Sequence, residues 1–503
     1  MTIEFSGANV TIEDIAAIAK DDREVVASAT VRGRLLTARR ILEEAAAAGQ
    51  QIYGMNTGLG ANLKTPVSGD FDAFQLTLIR GRGMAVGDPL KRDTTRAVMA
   101  ARLAMLAVGG SGISLPVFEA LLSVLNAGVH PVMPSLGSIG AGDLVLLSAM
   151  ARALVGEGEA EFQGKIHPAH EALRLAGLTP ARLQPKDGIS LINASAVSAG
   201  TGSLILYDAK QIFDAQRRAA GLAFEGLGGN PLNLSPGIQT ARPAAGQAVE
   251  GAYLLGALEG SSLFETATAL QDPLSLRCIA PIHGTLATAL SAARTAVEIE
   301  LNAAADNPVV LIDEKRVLST GNFHTPSLAL AFETLGLAIA QAAAASAGRF
   351  IQLTGSGRNG LPRYLSPTGG ASAGFVPLQK TVAALMAEIR HKANPVMLDF
   401  LAVSEGVEDH ATQSSLAIRK VGEMVELWRL VVSCELLAAA QAVDLRPLHR
   451  CGRVTGITHA FVRNLSPPLA EDRPLGSEVS LIAKQLLRFD EVDWSSATKL
   501  NEK

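Results

Sequence analysis

Aromatic side chains are scarce in this chain: Phe, Tyr and Trp together make up 4% of its 503 residues, against 48% apolar residues in all. The core must then be assembled from Ala, Leu, Val and Ile, which favours closely packed helices or extensive burial in an oligomer. Charge is scarce as well, at 18%, and the formal net charge of -4 gives no general attraction for nucleic acid or an anionic membrane. The three cysteines, Cys278, Cys434 and Cys451, form neither a CxxC pair nor a metal spacing. That excludes a disulfide framework and a structural zinc site, and suits a reducing cytoplasm, where the chain is expected to reside. Nine histidines lack HxxxH and HExxH spacing, so no metal site is expected. The longest apolar stretch, 328–348, is broken by Glu333 and Gln341 and predicts a buried helix, not a membrane span. The first residues, Met1 to Ser6, lack the basic and then apolar pattern of a signal peptide.

What is present is helical periodicity. It predicts helices over 22–48, 93–108, 116–127, 203–223, 285–301, 326–350, 378–392 and 415–442, with glycine-rich stops at Gly109-Gly110 and across 355–367. The segment 226–243, with its Asn, Pro and Gly residues, predicts a long irregular loop. Gly355 to Gly360 has a superficial dinucleotide-loop pattern, but no strand precedes it and no helix follows, so a plain loop is expected. The expected fold class is mainly α, with an amino-terminal globular domain over 1–195 and a long-helix bundle over 196–503.

Chemistry-bearing residues gather in a few glycine-rich or polar segments. Tyr53, one of only four tyrosines, stands in Tyr53-Gly54-Met55-Asn56-Thr57-Gly58-Leu59-Gly60, where the glycines let the backbone bend sharply and approach a ligand. Taken alone, that pattern serves equally as a structural turn with a packed Tyr. Arg277 is the last but one residue of Gln271-Asp272-Pro273-Leu274-Ser275-Leu276-Arg277-Cys278 and offers the planar donor fork that recognises a carboxylate, although an Arg after a Pro turn is commonly a surface residue. Arg80 and Arg82 serve as pocket cations or as solvated ones. Lys380 interrupts the apolar run 375–386, either as a snorkelling lysine or as a partner for Glu408 across a pocket.

These segments, together with Asn193 in 186–195, Asn302, Asp306-Asn307-Pro308, Gly321-Asn322-Phe323-His324 and Glu408-Asp409-His410, resemble the ordered motifs of the histidine and phenylalanine ammonia-lyase family along nearly the whole chain. The Arg277 motif matches the family's Gln-Asp-Pro-Tyr-Ser-Leu-Arg-Cys at seven of eight positions. The resemblance implies that Tyr53 is the catalytic base, that Arg277 with Asn193 holds a substrate carboxylate, and that Phe323 and Gln271 border the pocket. It also implies a homotetramer in which several subunits build each active site. The family's electrophile, the methylidene-imidazolone group (MIO), arises from Ala-Ser-Gly within Gly-Ser-Val-Gly-Ala-Ser-Gly-Asp-Leu. Here the loop reads Gly137-Ser138-Ile139-Gly140-Ala141-Gly142-Asp143-Leu144, without that serine. No MIO is therefore expected, and no other cofactor.

The departures cluster around the substrate. Leu274 replaces a tyrosine close to the amine, and Arg82 stands where histidine ammonia-lyases carry a substrate-contacting His. A substrate whose nitrogen is quaternary has no lone pair to bond to MIO and already carries a good leaving group. The chain is thus similar to the MIO-less ergothionases of this superfamily, and the expected reaction is elimination of trimethylamine from ergothioneine, giving thiourocanate. Lys380 and Glu408 would bind the ring, Gly140, Ala141, Gly142, Leu274, Arg82, Gln271 and Phe323 would line the pocket, and Tyr53 would need a pKa well below about 10. Two alternatives stand beside this: an ordinary ammonia-lyase or aminomutase, and an inactive structural homologue.

Overall fold

The computed structural model describes residues 2–65, 67, 69–355, 360–398, 400–446 and 448–489. The architecture is mainly α, as the composition predicts, with long helices Ala29–Ala47, Ala196–Leu227, Ile279–Leu301, Pro326–Leu353 and Ser414–Asp444. Strands are short and pair in small two- and three-stranded ribbons. Two segments, 187–227 and 326–353, are long and apolar enough to cross a membrane; 89% and 67% of their most apolar windows are buried within the protein, as core helices are.

The chain packs as two compact units, each discontinuous: Met1–Tyr207, Ala293–Phe332 and Pro395–Arg419 form one, and the remainder forms the other. The interleaving replaces the single cut at 195/196 with returns of the chain to the first unit, because long helices carry the boundaries at 207, 292, 332 and 419 within them.

Local chemistry sets the helix starts. Thr11 and Asp14 form a reciprocal capping box on Ile12–Lys20, and Ser28 caps Ala29–Ala47 through the Val31 N–H. The helix predicted from residue 22 therefore begins seven residues later, and Val25–Ala27 instead pairs in parallel with Ile3–Phe5. The segment 226–243 is not irregular. A short 3-10 turn at Pro231–Leu234, opened by the Asn230 side chain accepting from Leu232 N–H, leads into helix Pro236–Ala241. Most of the Gly355 to Gly360 loop lies outside the described residues.

Small residues do in this core what aromatics do elsewhere. In the first unit a Cβ on Gly200 would sit 2.7 Å from the Ala97 carbonyl, so glycine lets helix Ala196–Leu227 approach helix Arg92–Ala107. In the second unit the core contains charge: Arg349 and Glu435 are both fully buried, and their bidentate contact is supplemented by donation from Ser346 Oγ to Glu435 and from Arg349 Nη1 to the Ser275 carbonyl at 3.0 Å. Replacing Arg349 by Met strands the Glu435 carboxylate, and the expected loss is about 3–5 kcal/mol. Chemical denaturation checks this, and an unchanged midpoint would contradict it.

Candidate active site

The site grows from loops of the first unit. A half-buried Tyr53 begins the glycine-rich turn and closes it on itself: its phenol oxygen accepts the Gly60 N–H at 2.9 Å, and its backbone bridges to Thr57. Gly60 takes φ +57, a left-handed conformation that favours glycine at this point. The phenol faces a cavity of about 520 Å³ whose walls include Arg82, Ala141, Gly142, Ser404 and Glu408. A second cavity of about 410 Å³ shares Tyr53, Gly60 and Glu408 and adds Asn307, Ser319 and Phe323. Tyr53 therefore stands between two compartments.

Arg80 and Arg82 separate cleanly. Arg80 pairs with Glu157 at the surface, whereas Arg82 lines the cavity beside Tyr53. Electrostatics at Tyr53 differ from the expectation of an acidic phenol. Burial lifts its pKa above the ordinary value, and the Glu408 carboxylate adds to this; the Gly60 N–H and the Arg82 charge pull in the other direction without overcoming it. Glu408 itself accepts from Ser404 Oγ at 2.6 Å.

The glycine loop is pinned at several points along its length. The Asp143 carboxylate is buried and accepts from Ser138 Oγ at 2.6 Å, Ser198 N–H at 2.9 Å and Ser415 Oγ at 3.1 Å, while its own N–H donates to the Ala194 carbonyl at 2.7 Å. Burial pushes its pKa up, with those donors opposing. Thr412 Oγ donates to the Gly140 carbonyl at 3.0 Å, Gln413 N–H to the Ile139 carbonyl at 2.9 Å, and Ala141 bridges to His324. An Ala-Ser-Gly-derived group needs a serine hydroxyl between alanine and glycine. Ala141 is followed directly by Gly142, and the loop's one hydroxyl, on Ser138, is committed to Asp143. The residues present do not fit that group.

Asn193 is buried behind the loop, its Nδ2 donating to the Asn307 carbonyl at 3.1 Å and its Oδ1 only 3.0 Å from where a Cβ on Gly142 would be. Asn302 is structural: it exchanges hydrogen bonds with the Val10 backbone at 2.8 and 2.9 Å. Gln271, Leu274, Arg277 and Lys380 belong to the second unit and, like Gly140 and Asn193 of the first, are not among the residues lining either cavity. Leu274 is 63% exposed, Lys380 is exposed on helix Val376–Lys392, and Arg277 has a buried Nε without a partner among the described residues. The expected Lys380 partner, Glu408, is held by Ser404 instead.

Two features escaped sequence reasoning. His324 Nε2 and His410 Nδ1 lie 2.8 Å apart, joining the Phe323 and Glu408 motifs, and burial followed by the neighbouring His410 lowers the His324 pKa. The motifs were visible, but only folding brings the two rings together. Elsewhere, Glu225, His449 and Cys451 place potential ligand atoms within 4.8 Å of one another. Glu225 is already saturated by Ser261, His449, Gly452 N–H and Thr455, and burial pushes the Cys451 thiol up to about 12. Glu225 thus ties together the residues that begin helix Arg453–Leu465, with no lone pair left for an ion.

The aromatic amino acid lyase family model matches residues 10–464. The chain belongs to the aromatic amino acid lyase family. It is a carbon-nitrogen lyase with the histidine ammonia-lyase-like fold. A histidine ammonia-lyase from Treponema denticola is 37% identical over 493 residues, covering 97% of each chain. Among solved structures, ergothionase from Treponema denticola, in complex with desmethyl-ergothioneine sulfonic acid, has a TM-score of 0.92 and 30% identity, covering 98% of this chain and 100% of that one. Histidine ammonia-lyase from Trypanosoma cruzi follows with a TM-score of 0.91 and 30% identity, covering 99% and 95%.

The loop yields one test. A methyl group on Gly140 would meet Thr412 Oγ at 2.2 Å and Ser414 N at 2.8 Å, at φ +79. Gly140→Ala is expected to destabilise this lyase by about 1–3 kcal/mol and to reduce turnover; thermal melting and an activity assay check it, and wild-type values in both would contradict the packing described.

Proposed function

We propose that this lyase eliminates trimethylamine from ergothioneine, or from a related aromatic amino-acid betaine, without an MIO group. The observation that carries the reading is the glycine loop: beside Tyr53, where a serine-derived electrophile would form, stand Ala141 and Gly142. A quaternary nitrogen cannot bond to an electrophile and leaves as a neutral tertiary amine, so a site without that group suits such a substrate. Its likeness in fold and sequence to an ergothionase supports the same choice.

In this scheme the Tyr53 phenolate removes the β proton, the Cα–N bond breaks, and trimethylamine departs with the bonding electron pair. The raised pKa of Tyr53 in the free chain fits a base that is switched on by its own substrate. A trimethylammonium cation entering the cavity adds to the pull of Arg82 and stabilises the phenolate. Asn193 and Arg277 hold the carboxylate, Glu408 and Lys380 bind the ring, and Leu274 gives the methyl groups apolar room. Arg277, Lys380, Leu274 and Gln271 reach the site as parts of neighbouring subunits of a homotetramer. Supporting this, Leu330, Leu337, Ala344 and Ile351 recur every seven residues along one helix, and the three large ones are 57%, 48% and 42% exposed. The reading requires neither metal nor nucleic acid nor membrane, and places the enzyme in the cytoplasm.

Purified protein is expected to release trimethylamine from ergothioneine, and Tyr53→Phe to lower that rate by about 100- to 10,000-fold with the fold intact. Absence of turnover on ergothioneine and on histidine betaine would overturn the reading, and ammonia release from histidine would favour the ordinary ammonia-lyase. The pH profile gives a separate check. Deprotonated Tyr53 is the active form, so kcat/KM should keep rising to about pH 10 or beyond, while the kcat limb, which reports the substrate complex, lies at lower pH. Coincident limbs would contradict activation by the bound cation.

A further inference from the structure

An unusual interior feature near the site is a fully buried arginine that lines neither of the two cavities at Tyr53. Arg102 lies in helix Arg92–Ala107 and is 0% exposed. Its Nη2 donates both to Asp306 Oδ1, at 2.7 Å, and to the carbonyl of Ser190. Arg102 Nε and Nη1 and Asp306 Oδ2 have no partner among the described residues. A buried pair satisfied so incompletely contributes little to stability, and an apolar pair of similar volume would serve the core as well or better.

What an apolar pair would not do is join the two segments that carry Asn193 and its partner. Ser190 lies three residues before Asn193, in the short helix Asp187–Ile192 that Asn193 ends. Asp306 immediately precedes Asn307, whose carbonyl accepts from Asn193 Nδ2 at 3.1 Å. One nitrogen of Arg102 thus ties together the two backbones between which the Asn193 amide is oriented. The other end of the short helix is fixed by charge as well: Asp187 accepts from Ser114 N–H at 2.8 Å and from Ser114 Oγ at 2.6 Å, and the buried Lys186 ammonium donates to Ser190 Oγ at 3.3 Å.

We propose that Arg102, through Asp306 and the Ser190 carbonyl, is a positioning residue that sets the Asn193 amide toward the substrate carboxylate. The proposal rests on the carboxylate role given to Asn193 above. It makes the buried pair a determinant of substrate binding, and not only a core ion pair. Orientation errors of this kind are large in effect, since a displacement of about 1 Å can reduce rates by about 100-fold.

The test is a double-mutant cycle on the full-length enzyme, following trimethylamine release from ergothioneine. Arg102→Met is expected to lower kcat/KM by about 10- to 100-fold, with KM rising as it does in Asn193→Ala. In the Asn193→Ala background the same change should reduce kcat/KM by less than about threefold, because the amide it orients is gone. Arg102→Lys, which keeps a cation within reach of these acceptors, should retain more activity than Arg102→Met. Should Arg102→Met fail to fold by circular dichroism, Asp306→Asn, which keeps the size and an acceptor oxygen, enters the same cycle with the same expectation. Equal losses in both backgrounds would overturn the positioning role while leaving Asn193 in place. An Asn193→Ala enzyme with unchanged kcat/KM would instead overturn the carboxylate reading, and the positioning role with it.

Discussion

The buried carboxylate of Asp143 is the interaction on which the site depends. Removed from water, it is tolerable only while hydroxyls and N–H groups surround it, and these come from Ser138, Ser198, Val197 and Ser415. Satisfying it therefore fastens the glycine loop to the first turn of helix Ala196–Leu227 and to the segment that starts helix Ser414–Asp444. The helix N–H groups are orphans at a helix start and carry the positive end of its dipole, so the carboxylate serves them as much as they serve it. With Asp143 fixed, Gly140 is seated against Thr412, Ala141 beside His324, and Gly142 against Asn193. Side chains larger than hydrogen have no room at Gly140 and Gly142, and the loop brings no reactive side chain to the cavity at Ala141 and Gly142.

A wall without a reactive side chain changes what the site can do. The chemistry of a lyase of this family turns on making nitrogen leave, and here the polar groups lining the cavity include, beside Asn62, Ser404 and Glu405, a phenol, a guanidinium and a carboxylate, from Tyr53, Arg82 and Glu408. None of these activates a primary amine covalently. All three suit a substrate that brings its own positive charge and its own leaving group: Glu408 and the π face of Tyr53 favour a cation, and the cation in turn favours the phenolate. The raised pKa of Tyr53, which argues against a constitutively charged base, is consistent with a base charged only when the substrate is present.

Much of this was legible in the sequence because it is carried by local signals. The scarcity of aromatics and the 3.6-residue periodicity predict a helical core, and helices such as Pro326–Leu353 and Val376–Lys392 lie within a few residues of expectation. Motifs around Tyr53, Phe323 and Glu408 name residues that do line the cavities. What was not legible depends on folding at long range. The return of residues 293–332 and 395–419 to the first unit leaves no mark in composition. Asn230 opening a 3-10 turn within 226–243 is a capping effect hidden among Pro and Gly. The Tyr53 pKa follows from burial that spacing does not report, and Arg102 looks in the sequence like any cation on a helix until the structure places it at 0% exposure beside Asp306.

The central claim is that carbon-nitrogen elimination proceeds here with an unmodified glycine loop. Its most direct test is the intact mass of a preparation active on ergothioneine, with the peptide spanning 137–144 measured alongside. The account predicts the mass encoded by the sequence. An active protein lighter by two waters, with the loss in that peptide, would contradict it.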